Sequence, residues 1–97
     1  MTTPLFQPGR VLATPGALEA LVRASQNVSE FLTRHLVGDW GVVSADDQAA
    51  NDESRNDGSR LFSAYILRTD VKLWIITEAA DERGHRAATT ALLPDEY

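Results

Sequence analysis

The sequence predicts an α+β fold in which two to three helices pack on one face of a small, mostly antiparallel sheet of three to four strands. Three observations indicate it. Through the first half of the chain, apolar residues recur at helical spacing behind capping residues. After residue 58 they gather instead in short β-branched and aromatic runs. The 97 residues, 43% hydrophobic and 24% charged, suit a single domain over 1–97.

The N-terminal elements are predicted from turn and capping residues. Residues 1–10 contain two prolines and a glycine and are expected to form an irregular arm, followed by a short edge strand over 11–13. Thr14 offers a hydroxyl N-cap and Pro15 suits the first helical position, so a helix is predicted from Pro15 to about Ser25.

Two further helices are predicted before residue 58. Asn27 begins a capping box with Glu30 at the third helical position, and Gly38 suits the left-handed residue that ends this second helix. Ser44 begins a third helix over 44–57, which is weaker because its interior offers little but alanine to bury.

The rest of the chain is predicted to form sheet. Strands are expected over 59–67, 71–78 and 87–93, joined by a turn at 68–70 and a charged loop at 79–86. The composition of the runs predicts where the strands lie, and the hairpin turn determines how they pair.

The two faces of the predicted sheet follow from that turn. If Thr69-Asp70 is a two-residue loop, Tyr65 pairs with Trp74 and Ala64 with Ile75. The face assigned to the core beneath the helices then carries Phe62, Ala64, Ile66, Leu73 and Ile75. The opposite face carries Leu61, Tyr65, Leu67, Trp74 and Ile76.

The net charge of −5 is concentrated in one segment. Between residues 39 and 57 there are six acids and one base, a local net of −5, while the remaining acids and bases cancel. Such a field steers a basic protein partner and repels nucleic acid, so no direct nucleic-acid binding is expected. The alternative interpretation is a solvated helix face that favours solubility. The predicted partner-binding acids are Asp39, Asp46, Asp47, Asp52, Glu53 and Asp57.

The second sheet face is the other candidate binding surface. Tyr65 opposite Trp74, with apolar neighbours, would form an exposed patch of the kind that marks a partner site or a homodimer contact. The alternatives are that the N-terminal arm covers this face, or that it is the true core. Trp40, which lies in a Gly-Asp-Trp-Gly turn, is interpreted as a plug over the core.

The residue types argue against several kinds of chemistry. Without cysteine there is no disulfide, thiolate nucleophile or zinc–thiolate site. His35 and His85 have no second ligand at a suitable spacing, so no metal site is expected. No nucleophile motif or glycine-rich phosphate loop indicates a catalytic residue or a cofactor, which leaves an enzyme or ligand-binding protein as the least supported class. With no secretory signal and no apolar stretch of ~18–20 residues, a cytoplasmic protein without a membrane segment is expected.

Several stretches together resemble a known family. They are the segment Ala13-Thr14-Pro15-Gly16-Ala17-Leu18-Glu19-Ala20-Leu21, the turn Gly38-Asp39-Trp40-Gly41, the strand Trp74-Ile75-Ile76-Thr77-Glu78-Ala79, and the C-terminal Thr89-Thr90-Ala91-Leu92-Leu93-Pro94-Asp95-Glu96-Tyr97. The family consists of small bacterial proteins of plasmids, phages and other mobile elements, some described as type I restriction-associated. The resemblance covers most of 11–97 and implies no reaction or catalytic residue. This chain departs from the family in a longer loop after Glu78 and in a hairpin turn without Asp-Gly.

These features predict a small acidic protein-interaction module of a mobile element, not an enzyme. The hypothesis is that it binds a basic surface of a host defence or nucleic-acid-processing complex, as a counter-defence or DNA-mimic inhibitor. The alternative is a homo-oligomeric accessory protein whose sheet face is self-complementary.

Overall fold

The computed structural model of the protein describes residues 3–97. Its elements are β1 (Arg10–Ala13), α1 (Pro15–Ala24), α2 (Val28–Leu36), α3 (Ala45–Asp57), β2 (Leu61–Ile66), β3 (Lys72–Thr77), β4 (Ala88–Leu92) and a 3₁₀ turn at Pro94–Glu96. The strands form one sheet in the order β1-β4-β3-β2, where β1 runs parallel to β4 and the other pairs are antiparallel. The predicted α+β fold is confirmed.

The helices begin where their capping residues predict. Thr14, Asn27 and Ser44 are N-caps, and each side chain accepts a hydrogen bond from an amide of the first turn. Glu30 departs from the predicted capping box, because its carboxylate accepts a hydrogen bond from the Gln26 side chain at 2.8 Å. The Asn27 side chain accepts from the amide of Ser29 and not from that of Glu30, so Asn27 caps the helix but the predicted capping box does not form.

The core lies between the sheet and the first two helices. Helix α1 presents small side chains to the sheet, which allow its backbone a close approach, while α2 contributes a phenylalanine. The buried cluster consists of Ala17, Ala20, Leu21, Ala24, Phe31, Tyr65, Leu67, Leu73, Ile75 and Ala91.

The β2–β3 hairpin closes with a three-residue loop. The amide of Leu67 donates to the carbonyl of Val71, and the amide of Asp70 donates back to the carbonyl of Leu67. Asp70 lies in the left-handed region at φ 69°, which aspartate tolerates better than most residues. The predicted two-residue loop is therefore wrong by one residue.

The extra loop residue shifts the pairing by one position, so each side chain of β2 lies on the face opposite to the one predicted. Tyr65 pairs with Leu73, and Trp74 pairs with Ala64. Since successive side chains alternate between faces, the core assignment fails for three of the five residues predicted. The prediction was right for Leu73 and Ile75 on β3. It was wrong for Phe62, Ala64 and Ile66, which lie on the face away from α1 and α2. The residues of this segment that face the core are instead Leu61, Tyr65 and Leu67.

The outer edge of β2 is partly closed by the segment after α2. The carbonyl of Trp40 accepts from the amide of Ala64 at 3.1 Å, and the amide of Val42 donates to the carbonyl of Ala64 at 2.7 Å. Gly41 lies between them at φ 76°, where an added Cβ would stand 2.0 Å from the Ala64 oxygen. Only glycine allows this close approach.

The N-terminal arm lies on the helix side of the sheet. The amide of Leu5 donates to the carbonyl of Leu36 at 2.8 Å, and the Phe6 ring stacks on Trp40 with 6.3 Å between centroids. Trp40 itself is buried, as its interpretation as a plug predicts. The described part of the arm, from residue 3, therefore packs against the core and leaves the opposite sheet face uncovered. In residues 3–97 no helix combines the length and apolar composition that a bilayer crossing requires.

Candidate protein-docking surface

Helix α3 carries the acidic segment and has almost no apolar side chain to bury. Its only buried residues are Asn51 and Ser54. Asp46 and Asp47 in the first turn interact favourably with the helix dipole, and Gly58 closes the last turn in the left-handed conformation. Polar contacts rather than hydrophobic burial must therefore hold this helix against the sheet.

The first of these contacts is a pair of hydrogen bonds from Asn51 to the free edge of β2. The amide of Phe62 donates to Asn51 Oδ1 at 3.0 Å, and Asn51 Nδ2 donates to the carbonyl of Phe62 at 2.6 Å. The side-chain amide thus replaces the neighbouring strand that this edge lacks.

The second contact is made by Arg86, at the end of the charged loop. Its guanidinium donates to three backbone carbonyls: Ser54 in α3 at 2.9 Å, Ser59 before β2 at 2.7 Å, and Glu78 after β3 at 3.0 Å. Burial lowers the pKa of Arg86, and the negative charge of Asp57 opposes that effect. Arg86 therefore joins the end of α3 to two strands of the sheet.

The six predicted binding acids do not form one uniform surface. Asp39 is paired with Arg34 by two hydrogen bonds of 2.7 and 3.3 Å, and this pairing lowers the pKa of Asp39. Hydrogen bonding from Ser59 lowers the pKa of Asp57. Asp39 is thus neutralised locally, which removes it from a free acidic surface.

The other acids lie on α3 and make no ion pair within the described residues 3–97. At 100° per residue, Asp46, Glu53 and Asp57 fall within about 40° of one another, so they share a line along the helix. We call these three residues the acidic stripe. Asp47 lies about 100° to one side of it, and Asp52 about 120° to the other.

The predicted pairing of Tyr65 with Trp74 as one exposed patch is wrong. Tyr65 is 1% exposed on the core face, where its hydroxyl donates to the carbonyl of Asp39 at 2.7 Å and its ring lies 5.3 Å from Phe31. Burial raises its pKa to about 12. Tyr65 is therefore part of the core and unavailable to a partner.

Trp74 lies on the opposite face, away from α1 and α2. Its ring makes edge contacts with Phe62 at 5.1 Å and with Tyr97 at 5.8 Å. A groove of about 260 Å³ runs across this face beside α3. We call it the sheet groove; it is lined by Asp47, Arg60, Phe62, Trp74, Ile76 and Tyr97. Asp47 joins it to helix α3, so an apolar surface and an acidic one are contiguous here.

Tyr97 is held over the groove by the residue before it. The Glu96 carboxylate accepts hydrogen bonds from the Thr14 hydroxyl at 2.5 Å, the Leu93 amide at 2.8 Å and the Gly16 amide at 3.2 Å. The bond from Thr14 contributes most to lowering the pKa of Glu96. This carboxylate occupies the N-terminus of α1, where the helix dipole favours a negative charge.

A chain of buried hydrogen bonds centres on His35, which is 0% exposed. Thr89 donates to the carbonyl of Pro8 at 2.7 Å, and since a carbonyl only accepts, the Thr89 hydroxyl proton is fixed there. Thr77 must then donate to Thr89 at 2.7 Å, and His35 Nε2–H to Thr77 at 2.8 Å. His35 Nδ1 is left to accept from Ser63 at 2.5 Å.

This chain joins α2, β2, β3, β4 and the N-terminal arm. A serine beside a histidine suggests nucleophilic chemistry, yet both Ser63 and His35 are fully buried and no substrate reaches them. Burial, and then the charge of Arg86, lowers the pKa of His35 to about 4, so the ring is neutral at physiological pH. This chain of hydrogen bonds is therefore structural. Among residues 3–97, no group of three or more His, Asp or Glu side chains is arranged to hold a metal ion.

A larger hollow of about 440 Å³ lies between α1 and the β2–β3 turn. Its lining includes Ala20, Val71 and Leu93, with Glu19 and Arg23 at the rim. Those two charged groups pair with each other at 2.5 Å. The hollow therefore has an apolar surface without a convergent set of polar groups, which a specific small-molecule site requires.

The sheet groove was predicted only in part: Trp74 and Ile76 were placed on the candidate binding face, and the register error removed Phe62 from it. Arg60, Phe62 and Tyr97 line it, but the predicted pairing assigned Phe62 to the core. The signal that identifies the groove is Asp70: its tolerance of the left-handed conformation favours a three-residue loop, which turns Phe62 toward the face of Trp74.

Comparison with known proteins yielded no relative. No family model matches the chain, and no curated protein or solved structure matches it significantly. The resemblance to proteins of mobile elements therefore stays a prediction from the motifs.

Proposed function

We propose that this protein is an interaction module that docks a basic protein segment across helix α3 and the sheet groove. The observation that carries the proposal is their contiguity: Asp47 lines the groove and belongs to the same helix as the acidic stripe. A partner that presents an apolar side chain beside lysine or arginine satisfies both surfaces at once.

The charge of α3 supports a basic partner. The carboxylates of Asp46, Asp52 and Glu53 are exposed and make no ion pair with residues 3–97. Uncompensated charges of one sign accelerate the encounter with a partner of the opposite sign, and the effect weakens as salt rises. Because the carboxylates are solvated, each ion pair adds less to affinity than to the rate of association.

The groove supplies the part of the binding energy that salt does not screen. Phe62, Trp74 and Ile76 are half-buried there, and aromatic residues in a partly desolvated pocket are typical anchors of protein interfaces. The Arg60 side chain donates to the Tyr97 hydroxyl at 2.5 Å along one border. An apolar side chain of the partner would enter between this border and α3.

The resemblance to proteins of plasmids and phages adds a partner class to the proposal. A surface that binds nucleic acid is basic, so it matches the charge of α3. We propose a host nucleic-acid-processing or defence protein as the partner, bound without a catalytic step.

Affinity capture from a host-cell lysate, quantified by mass spectrometry, tests the proposal when it is run in parallel on charge variants. The test variant Asp46→Asn with Glu53→Gln removes two stripe charges. The control Glu19→Gln with Glu82→Gln removes the same charge from exposed positions elsewhere. We expect a basic protein to be captured by the wild type and the control, and to be depleted with the test variant and in raised salt.

A set of captured proteins that is the same for all three forms would contradict the role of α3. Ile76→Lys tests the groove separately, since it introduces a positive charge into the apolar surface that a basic partner must approach. Capture unaffected by Ile76→Lys would contradict the role of the groove. The alternative function, a homo-oligomeric accessory protein, is favoured by the open edge of β1.

A further inference from the structure

The two outer edges of the sheet differ in whether their outward backbone groups are hydrogen-bonded. Asn51 and the Trp40–Val42 segment occupy the hydrogen-bonding positions along the edge of β2. At the other edge, the amides of Arg10 and Thr14 donate inward, to carbonyls of the β4 side. Since alternate residues of a strand bond to the same side, Val11 and Ala13 direct their amides and carbonyls outward.

Nothing in the described part of the chain pairs with this outer edge, since β1 is the terminal strand of the sheet. The side chains of Val11 and Leu12 are 46% and 40% exposed. Natural proteins protect an exposed edge with a very short strand, a proline, a charge within the strand, a bulge or a covering loop. β1 is only four residues long and carries one charge, Arg10, at its first position, so the stretch 11–13 itself has no proline and no charged residue.

We propose that β1 pairs in antiparallel orientation with β1 of a second copy of this chain, to give a continuous eight-stranded sheet in the dimer. The outward groups determine the register. Val11 of each copy faces Ala13 of the other as a hydrogen-bonded pair, which makes four backbone hydrogen bonds across the two-fold axis. Leu12 lies on the axis and faces its own copy at about 4.5 Å between Cα atoms.

The distribution of charge keeps the electrostatic repulsion between two copies small at this edge. Each chain has a net charge of −5, and the segment that carries it packs against β2, at the far end of the sheet. Three strand spacings, about 14 Å, separate β1 from β2 within each copy, so the two acidic helices are as far apart as the sheet allows. Arg10 faces Thr14 in this register and meets no like charge.

The dimer would also change how the proposed docking surface works, although the pairing does not depend on it. A two-fold axis between antiparallel strands is perpendicular to the sheet, so both sheet grooves open to the same side. Two identical grooves on one side allow a repetitive or dimeric partner to bind bivalently, with a gain in apparent affinity.

Light scattering coupled to size exclusion, on the full chain at high micromolar concentration, tests the pairing. Val11→Pro removes an outward amide and no bond to β4, and proline is tolerated at such edge positions. Leu12→Lys places two like charges on the axis. We expect a wild-type dimer and a monomer for each variant, with far-ultraviolet circular dichroism unchanged. The matched control Ile66→Lys, an exposed apolar position on the opposite edge strand, should stay dimeric.

Hydrogen exchange followed by NMR provides a second readout that does not depend on a variant. The Val11 and Ala13 amides should exchange at least tenfold more slowly at high than at low protein concentration, while the amides of Arg10 and Leu12 change little. A wild type that stays monomeric overturns the proposal, as does a dimer that survives both edge variants. Dissociation by Ile66→Lys alone would overturn it too, and would move the contact to the open sheet face.

Discussion

Replacing Asn51 by aspartate reverses the hydrogen-bonding role of one atom. The aspartate oxygen at the position of Oδ1 still accepts from the Phe62 amide, but the second oxygen would face the Phe62 carbonyl, where Nδ2 now donates at 2.6 Å. Two acceptors cannot share that distance, so the carboxylate must turn away or take up a proton.

The cost follows from the burial of this contact. Asn51 is 3% exposed, so water does not easily replace the lost donor. One lost hydrogen bond and one unsatisfied carbonyl amount to about 2–4 kcal/mol of unfolding free energy at neutral pH. Asn51→Ala, which lacks both bonds, should cost about 2 kcal/mol, since the smaller side chain admits water. Asn56→Asp makes the same charge change at an exposed position of α3 and should stay within about 0.5 kcal/mol of the wild type.

The pH dependence distinguishes this explanation from general damage to the helix. The apolar surroundings and the facing carbonyl raise the pKa of the new carboxyl in the folded state above its value in the unfolded chain. When protonated, the group donates to the Phe62 carbonyl and restores both bonds. Relative to the wild type, Asn51→Asp should therefore regain stability as pH falls, and lose it as pH rises through the raised pKa.

Urea unfolding of the four proteins across the acidic to neutral range measures these differences. Two results would refute the explanation: a deficit for Asn51→Asp that does not shrink as the pH falls, or a deficit no larger than that of Asn56→Asp. In either case the hydrogen bonds to Phe62 would not be what fixes α3 to the sheet edge.

Three further predictions concern the side chains of His35, Arg86 and Glu96. The pKa of His35 is lowered to about 4, so its ring is neutral in the folded state, while in the unfolded chain it binds a proton below about pH 6.5. The unfolding free energy should therefore fall by about 3 kcal/mol between about pH 6.5 and pH 4. In urea titrations, His35→Phe should abolish this dependence on pH. Arg86→Met leaves three carbonyls without their donor and should cost about 3 kcal/mol in thermal unfolding, of which Arg86→Lys recovers part. Glu96→Gln removes an acceptor that positions Tyr97, so the fluorescence of Trp74 should shift to the red; an unchanged spectrum would contradict its role.

Local signals in the sequence predicted the helices well. Thr14, Asn27 and Ser44 each act on amides within the next turn, so a short stretch of sequence suffices to locate a helix start. The three later strands were likewise predicted within a few residues, because β-branched and aromatic residues are concentrated there.

Long-range pairing was not predictable in the same way. Both faces of β2 are apolar, so alternation does not reveal which face is buried, and a single residue in the turn at Asp70 decides it. Asn51 and Arg86 belong to segments that appear solvated in sequence, and their partners lie 11 or more residues away or on other elements. The pairing of Asp39 with Arg34 likewise depends on the turn that follows α2. The acidic helix was therefore predicted, whereas the sheet groove was predicted only at Trp74 and Ile76 and not at Phe62.

The most direct test of the docking surface is an NMR titration of the isotopically labelled protein with a synthetic peptide that carries leucine between arginine pairs. If α3 and the sheet groove act as one surface, the amides of Glu53 and the indole signal of Trp74 shift together along a single binding curve, and Asp46→Asn with Glu53→Gln weakens that curve several-fold. Shifts at α3 that leave Trp74 unchanged, or no saturable shift at either place, would contradict it.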